Sequence, residues 1–233
     1  ETLGSHQDLY CQIDSIAQSF GTLSPYADEE KVAQGVRAAA ARLFHRDCGV
    51  VQLFDPPFEA GERDPGYIRG YLPGVRENGG QYTHGAVWLA MALLKIGAVR
   101  EGYEILDALI PAGHAPEVYK TEPYVLPADV YYNHIHAGRG GWSWYTGAAG
   151  WYYRVVVQEL LGIRVTDGRL TLSPRLPADW PGYSAQWRTE SFTLHLKAER
   201  GEGSGLTLDG QPCPEGVLLA TCTGEHTLCF TFG

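Results

Sequence analysis

The sequence predicts a mainly α-helical unit followed by a small antiparallel β-sandwich, and three observations carry that expectation. Up to about residue 163, apolar residues recur at steps of three and four. One helical segment, 81–97, is apolar on nearly every face, as a helix sandwiched between layers must be. Beyond residue 163 the pattern alternates with period two and stops at Gly or Pro turns. The expected division is therefore 1–163 and 164–233.

Taken in order, the helical segments are 11–22 (CQIDSIAQSFGT), 29–45 (EEKVAQGVRAAAARLFH), 81–97 (QYTHGAVWLAMALLKIG), 100–110 (REGYEILDALI) and 147–161 (GAAGWYYRVVVQELL). In 81–97, Tyr82, Ala86, Leu89, Leu93 and Ile96 mark one face, and Val87, Met91 and Leu94 the opposite one. Layered helices with long connections suggest an α/α toroid, and these helices are too few to close one, so half a ring is expected. The connections 48–80 and 111–146 are rich in Gly, Pro and aromatics. Loops of that length are usually functional. They carry Tyr71, Tyr124, Tyr131, Tyr132, Trp142 and Trp144, whose faces suit the C–H faces of sugar rings. The later segments RLTLSP, YSAQWRTESFTLHLKAER, GLTLDG, GVLLATC and HTLCFTFG read as strands.

Composition excludes several classes. Hydrophobic residues make up 44% and charged residues 19%, a globular balance rather than a disordered one. The net charge of −9 argues against a nucleic-acid partner, which needs a basic face. No apolar run reaches the length of a membrane span. The first residues, Glu1 to Ser5, have neither the basic start nor the apolar core of a signal peptide, and there is no initiator Met. A chain cut from a longer protein is the expectation. Cys11, Cys48, Cys213, Cys222 and Cys229 form no CxxC pair and are odd in number, which points to reduced thiols and a cytoplasmic location.

Three segments could carry chemistry. In 73–84 (PGVRENGGQYTH), Arg76, Glu77 and Asn78 end a loop, and His84 opens an apolar helix. A histidine there can face a cleft and donate to an anion, or it can satisfy a buried polar contact; the residue alone decides neither. In 138–151 (GRGGWSWYTGAAGW), Thr146 reads as an N-cap and Gly147 as the first helical residue. A helix start offers bare N–H donors and a partial positive charge, so it can bind an anion, although most such threonines only cap. In 122–129 (EPYVLPAD), Glu122 and Asp129 are two carboxylates whose spacing does not show that they meet, and ion pairing or capping is the simpler role for Asp129. His134 and His136 form an H-x-H pair without other metal ligands at suitable spacing, so no metal is expected.

Together RENGGQYTH, YKTEPYVLPADVY and GRGGWSWYTGAAGW, with CQIDSIAQS and DPGYIRGYLPG ahead of them, resemble the late motifs of glycoside hydrolase family 94. That family includes cellobiose and chitobiose phosphorylases and the C-terminal phosphorylase domain of cyclic β-1,2-glucan synthases. The resemblance runs from about Cys11 to Trp180 in one continuous order. It implies the second half of an (α/α)6 barrel followed by a C-terminal β-domain. It also implies inverting phosphorolysis of a β-glucoside, with inorganic phosphate as co-substrate and no other cofactor. By resemblance, His84, Thr146 and Gly147 hold phosphate. Glu77 binds the sugar, and Arg76, Arg139 and Trp144 are further substrate-binding candidates. QYTH and PADVY look more like β-1,2-glucan enzymes than like cellobiose or chitobiose phosphorylases. The family's general-acid Asp lies upstream of CQIDSIAQS, so no catalytic residue is expected in this chain, and Asp14 is not a candidate. The implied partners are a β-glucan or β-glucoside oligosaccharide, phosphate and the missing N-terminal half of the barrel, with a homodimer as a further expectation. The competing readings are an inverting hydrolase of the same fold, which would need a water-activating carboxylate, a non-catalytic carbohydrate-binding or scaffold fragment, and a module of a cyclic β-1,2-glucan synthase. Exposed faces on helices 81–97 and 147–161 would make the isolated chain self-associate.

Overall fold

A computed structural model describes residues 4–59, 64–144 and 146–233; the side chain of Thr146 lies outside the described residues. The chain divides into two compact units, Glu1–Val155 and Val156–Gly233, a division that falls earlier than the change of pattern near residue 163.

The first unit opens with β1 (Ile13–Asp14), α1 (Ser15–Gly21) and α2 (Glu29–Leu43). Asp14 and Asp28 cap the two helices: each carboxylate accepts two backbone N–H bonds of the first turn. Glu29 and Glu30 in the first turn and Arg42 in the last suit the helix dipole of α2. The long connection after α2 is not structureless. It contains β2 (Phe44–His45), β3 (Val50–Val51), β4 (Phe54–Asp55), a 3-10 turn at Gly66–Gly70, and β5 (Gln81–Tyr82). β1 pairs with β4 and β2 with β3, both antiparallel.

Then come α3 (Thr83–Lys95) and α4 (Val99–Ala108). The helix expected over 81–97 starts two residues later, because Gln81 and Tyr82 are taken by a strand pair. α3 is buried on almost every face and packs against α1, α2 and α4. α5 (Pro116–Tyr119) is one short turn, and β6 (Asp129–Val130) pairs antiparallel with β5. α6 (Thr146–Val155) completes the unit against α3. The expectation that α3 would expose an apolar face is corrected: its neighbours within this chain cover it. α6 does keep exposed positions, Tyr153 among them.

In the second unit the chain continues as a π-helical turn over Val156–Leu160 rather than as the α-helix expected to residue 161. Glu159 in that turn is buried and takes both Arg164 and Arg175. The strands β7 (Ile163–Thr166), β8 (Arg169–Leu172), β9 (Gly182–Arg188), β10 (Phe192–Arg200), β11 (Gly205–Leu208), β12 (Gln211–Pro212), β13 (Val217–Leu218) and β14 (Gly224–Phe232) follow. They form a sheet in the order β12-β11-β14-β10-β9 and another in the order β13-β8-β7. Both contribute to one core of Ile163, Leu170, Leu172, Leu194, Leu196 and Leu228, the face-to-face packing of a sandwich. The expectation of an antiparallel sandwich needs one correction: β10 and β14 run parallel. Period-two alternation reports which face a residue occupies and not the strand's direction. The crossover through β11, β12 and β13 brings the chain back in the same sense as β10. All five cysteines are free.

Candidate functional site

The loop that carries Arg76 and Glu77 is held by its own backbone and by buried amides. Gly74 N–H donates to Asn78 O, Asn78 N–H to Val75 O and Gly80 N–H to Arg76 O, which closes a tight hairpin. Arg76 stands in the left-handed region at φ 49° to make that turn. Asn78 is fully buried: Oδ1 accepts from Phe58 N–H at 2.8 Å, and Nδ2 donates to Phe58 O and Tyr71 O. A second tether runs from Tyr132. Gln52 Nε2 donates to Gly79 O, so its Oε1 is the acceptor for His45 Nε2–H at 2.8 Å. That tautomer leaves His45 Nδ1 to accept from the Tyr132 hydroxyl at 3.1 Å. Asn78, Gln52 and His45 position the site and are not part of it. Sequence reading named only Asn78 among them, and gave it no role.

On this frame Arg76 is walled by aromatics, its guanidinium carbon 5.4 Å from the Tyr71 ring centre and 5.3 Å from that of Trp142. Arg76 Nε lies 3.5 Å from Glu77 Oε2, close enough to attract but not aligned as a hydrogen bond. Burial alone would lower the Arg76 pKa; the charge of Asp129, then that of Glu77, holds it above its ordinary value. Asp129 is only 2% exposed. Its Oδ1 accepts from Trp142 N–H at 3.2 Å, and its Oδ2 has no partner. Burial raises the Asp129 pKa, and the Trp142 N–H and Arg76 oppose that rise. Gly141 makes room for the carboxylate: a Cβ there would lie 2.7 Å from the Asp129 carboxyl carbon.

The strand pair β5–β6 connects this cluster to a second one. Asp129 on β6 stands opposite Tyr82 on β5, and the Tyr82 ring stacks near His84 at 6.2 Å. His84 sits in the first turn of α3, with Trp88 at 4.3 Å and Trp151 at 6.1 Å between ring centres. Its Nε2 is buried without a partner, and burial lowers its pKa, so the ring is neutral at pH 7. Gly147 lies beside it: a Cβ on Gly147 would meet His84 Nδ1 at 3.6 Å. α6 begins at Thr146, one residue before the expected start, so Gly147 keeps one of the free N–H groups of the first turn. The side chain of Thr146 lies outside the described residues.

The structure thus joins Arg76 with Glu77, and His84 with Gly147. The other two candidates lie apart. Trp144 is 63% exposed at φ 64°, donates to Glu122 Oε1 at 3.1 Å and meets Tyr124 edge-on. Arg139 is exposed, its backbone fixed by Tyr131 N–H and His136 O. Sequence reading undervalued Asp129; the Gly-Gly pair ahead of Trp142 was the signal of a close approach. Trp88 and Trp151 beside His84 were unread because helical aromatics usually mean core. A cavity of about 410 Å³ between α1, α2 and the end of α3 is lined by none of the candidates. Among the described residues, no three His, Cys, Asp or Glu side chains gather as metal ligands, and no helix is long and apolar enough to cross a membrane.

The family model for the glycosyl hydrolase 94 superfamily, catalytic domain, matches residues 1–162, and the chain belongs to that family. It is 46% identical over 208 residues to the cyclic beta-(1,2)-glucan synthase NdvB of Rhizobium meliloti (strain 1021), covering 87% of this chain and 7% of the synthase. It is 28% identical to the solabiose phosphorylase of Paenibacillus borealis, over 91% of this chain and 28% of that enzyme. It is 25% identical to the 1,2-beta-oligoglucan phosphorylase of Listeria innocua serovar 6a, over 84% of this chain and 20% of that enzyme. The chain therefore spans less than a third of each of these relatives.

Proposed function

We propose that this chain is the C-terminal part of an inverting glycoside phosphorylase that cleaves β-linked glucans with inorganic phosphate, β-1,2-glucan above others, and releases a sugar 1-phosphate. The observation that carries the reading is the buried His84 Nε2 without a hydrogen-bond partner, with Arg76 Nε and Glu77 Oε2 buried nearby in the chain and making no hydrogen bond beyond their ionic contact with each other. Buried polar groups are normally satisfied, and their absence of partners points to a ligand. The names of the phosphorylase relatives agree with that reading.

In this proposal His84, Thr146 and Gly147 bind phosphate. The neutral imidazole donates from Nε2, and the first turn of α6 adds N–H donors and its dipole. Arg76 and Glu77 bind the sugar, with Arg139 and Trp144 as outer contacts. Phosphate arrives as an anion and needs no base, in contrast to water in an inverting hydrolase. Its oxygen forms the new bond to the anomeric carbon while the glycosidic C–O bond breaks. The departing oxygen takes a proton from an acid supplied by the first half of an (α/α)6 barrel, of which this chain contributes the second half. The chain alone is then inactive and self-associates or requires that half beside it. A cytoplasmic location completes the proposal.

A second reading is favoured by one observation. Identity to the cyclic glucan synthase, 46%, is far above the 25–28% to the phosphorylases, so the chain would be the equivalent module of such a synthase, attached to a membrane-bound parent. The test for both is a protein in which this chain follows its upstream half-barrel. With β-1,2-gluco-oligosaccharides and phosphate it should release glucose 1-phosphate, and much less from β-1,3 or β-1,4 oligosaccharides. Hydrolysis to free glucose independent of phosphate would refute the phosphorylase reading.

A further inference from the structure

Asp129 is a carboxylate with an unusual position. It is buried, and its Oδ2 is closed off from solvent without a hydrogen-bond partner. Among the described residues, its carboxylate accepts one hydrogen bond, from the backbone of Trp142, whose ring covers Arg76. Gly141 is the space that lets the carboxylate in. An ion buried this way is costly unless a counter-charge compensates it. The charged groups that act on it are Arg76 and Glu77, one of each sign. Asp129 also pins the start of the strand pair that leads to His84.

We propose that Asp129 is a positioning residue: without touching substrate, it orients the Arg76 guanidinium through its charge and through Trp142, and so governs sugar binding. The inference rests on the proposed sugar role of Arg76. The carboxylate holds the Trp142 backbone, and the Trp142 ring is one wall of the aromatic slot around the guanidinium. The charges of Asp129 and Glu77 both act on this one guanidinium, and the contact between Arg76 Nε and Glu77 Oε2, at 3.5 Å, is not closed as a hydrogen bond, so a sugar hydroxyl can compete for it.

The first test uses the protein joined to its upstream half and needs no sugar. The Asp129 carboxyl carbon is followed by NMR against pH in the native chain, in Arg76→Gln and in Glu77→Gln. The midpoint should rise in Arg76→Gln and fall in Glu77→Gln. Equal midpoints in all three, or a shift in the same direction in both variants, as partial unfolding would give, overturns the coupling. The second test uses the protein joined to its upstream half. Asp129→Asn keeps the hydrogen bond from Trp142, and it should raise the sugar KM about tenfold while leaving kcat and the phosphate KM within about twofold. Added to Arg76→Gln it should cost nothing further, because the two act as one unit. A defect confined to kcat, or additive losses, overturns the positioning role. If the joined protein turns over no sugar at all, the phosphorylase reading fails while the NMR result still decides the Asp129–Arg76 coupling.

Discussion

The two units treat buried polar groups in opposite ways. In the second unit the buried Glu159 is gripped by Arg164 and Arg175, with Arg164 Nε also donating to Gln158 O at 2.8 Å. In the first, Arg76, Glu77, His84, Trp88 and Asp129 all keep buried polar atoms that make no hydrogen bond, Arg76 Nε and Glu77 Oε2 having only their ionic contact with each other. Among the described residues, every buried side-chain polar atom of this kind belongs to the first unit. A fold selected for stability alone would resolve them, as the sandwich does. Under the proposed function, retaining them gives up local stability where phosphate and sugar bind.

The comparison can be broken by mutation. The largest effect is expected at Glu159→Ala, which leaves two arginines facing a buried gap. Breaking a fully buried pair costs roughly 3–5 kcal/mol. Arg164 and Arg175 are about a third exposed, so about 2–3 kcal/mol is expected by denaturant titration. Gly141→Ala comes next. Its Cβ would drive into the Asp129 carboxyl, an overpacking that costs about 1–3 kcal/mol and should also weaken any sugar binding. Removing an orphaned hydroxyl in the first unit should do the reverse. Ser15→Ala and Thr121→Val delete unpartnered oxygens and should be neutral or stabilising by up to about 1 kcal/mol in melting experiments. A loss above that from either would mean that the hydroxyl has a partner in solution.

The smallest effect is in pH dependence, and its sign differs between the units. Burial lowers the His84 pKa, so the folded chain holds fewer protons there than the unfolded one. Stability from this group is lost as pH falls below the ordinary histidine value of about 6.5. His226 is the opposite case. The bond to Asp209 at 2.6 Å, then the Thr223 carbonyl, raise its pKa, so its contribution is complete below about 6.5 and lost as pH rises through the raised value. Melting temperature followed from pH 8 to 5.5 should therefore flatten on the acid side in His84→Phe and steepen in His226→Asn. Identical profiles would contradict the assigned environments.

Much of this arrangement was legible in the sequence. The all-round apolar run 81–97 and the alternation after residue 163 act locally and were read locally, whereas the cap at Asp14 was missed, because the apolar spacing carried the expected helix 11–22 back past it while α1 starts at Ser15. The parallel pairing of β10 with β14 could not, because strand direction depends on where a long crossover returns. Nor could the start of α3 at Thr83, since Gln81 and Tyr82 are claimed by a partner strand far along the chain. At the site, His84 and the loop before α6 announced themselves by residue type, and Gly147 does lie beside His84. Asp129 did not: only the fold reveals that a carboxylate in a proline-containing loop is buried against Gly141 and acts on Arg76.

The central claim is that the first unit keeps His84 unsatisfied in order to hold phosphate. His84→Phe preserves the ring between Trp88 and Trp151 and removes both nitrogens. A hydrogen bond to a charged group contributes about 1.5–3 kcal/mol, so the phosphate KM of the protein joined to its upstream half should rise about tenfold or more, with the sugar KM nearly unchanged. A variant that binds phosphate as well as the native protein would contradict the account.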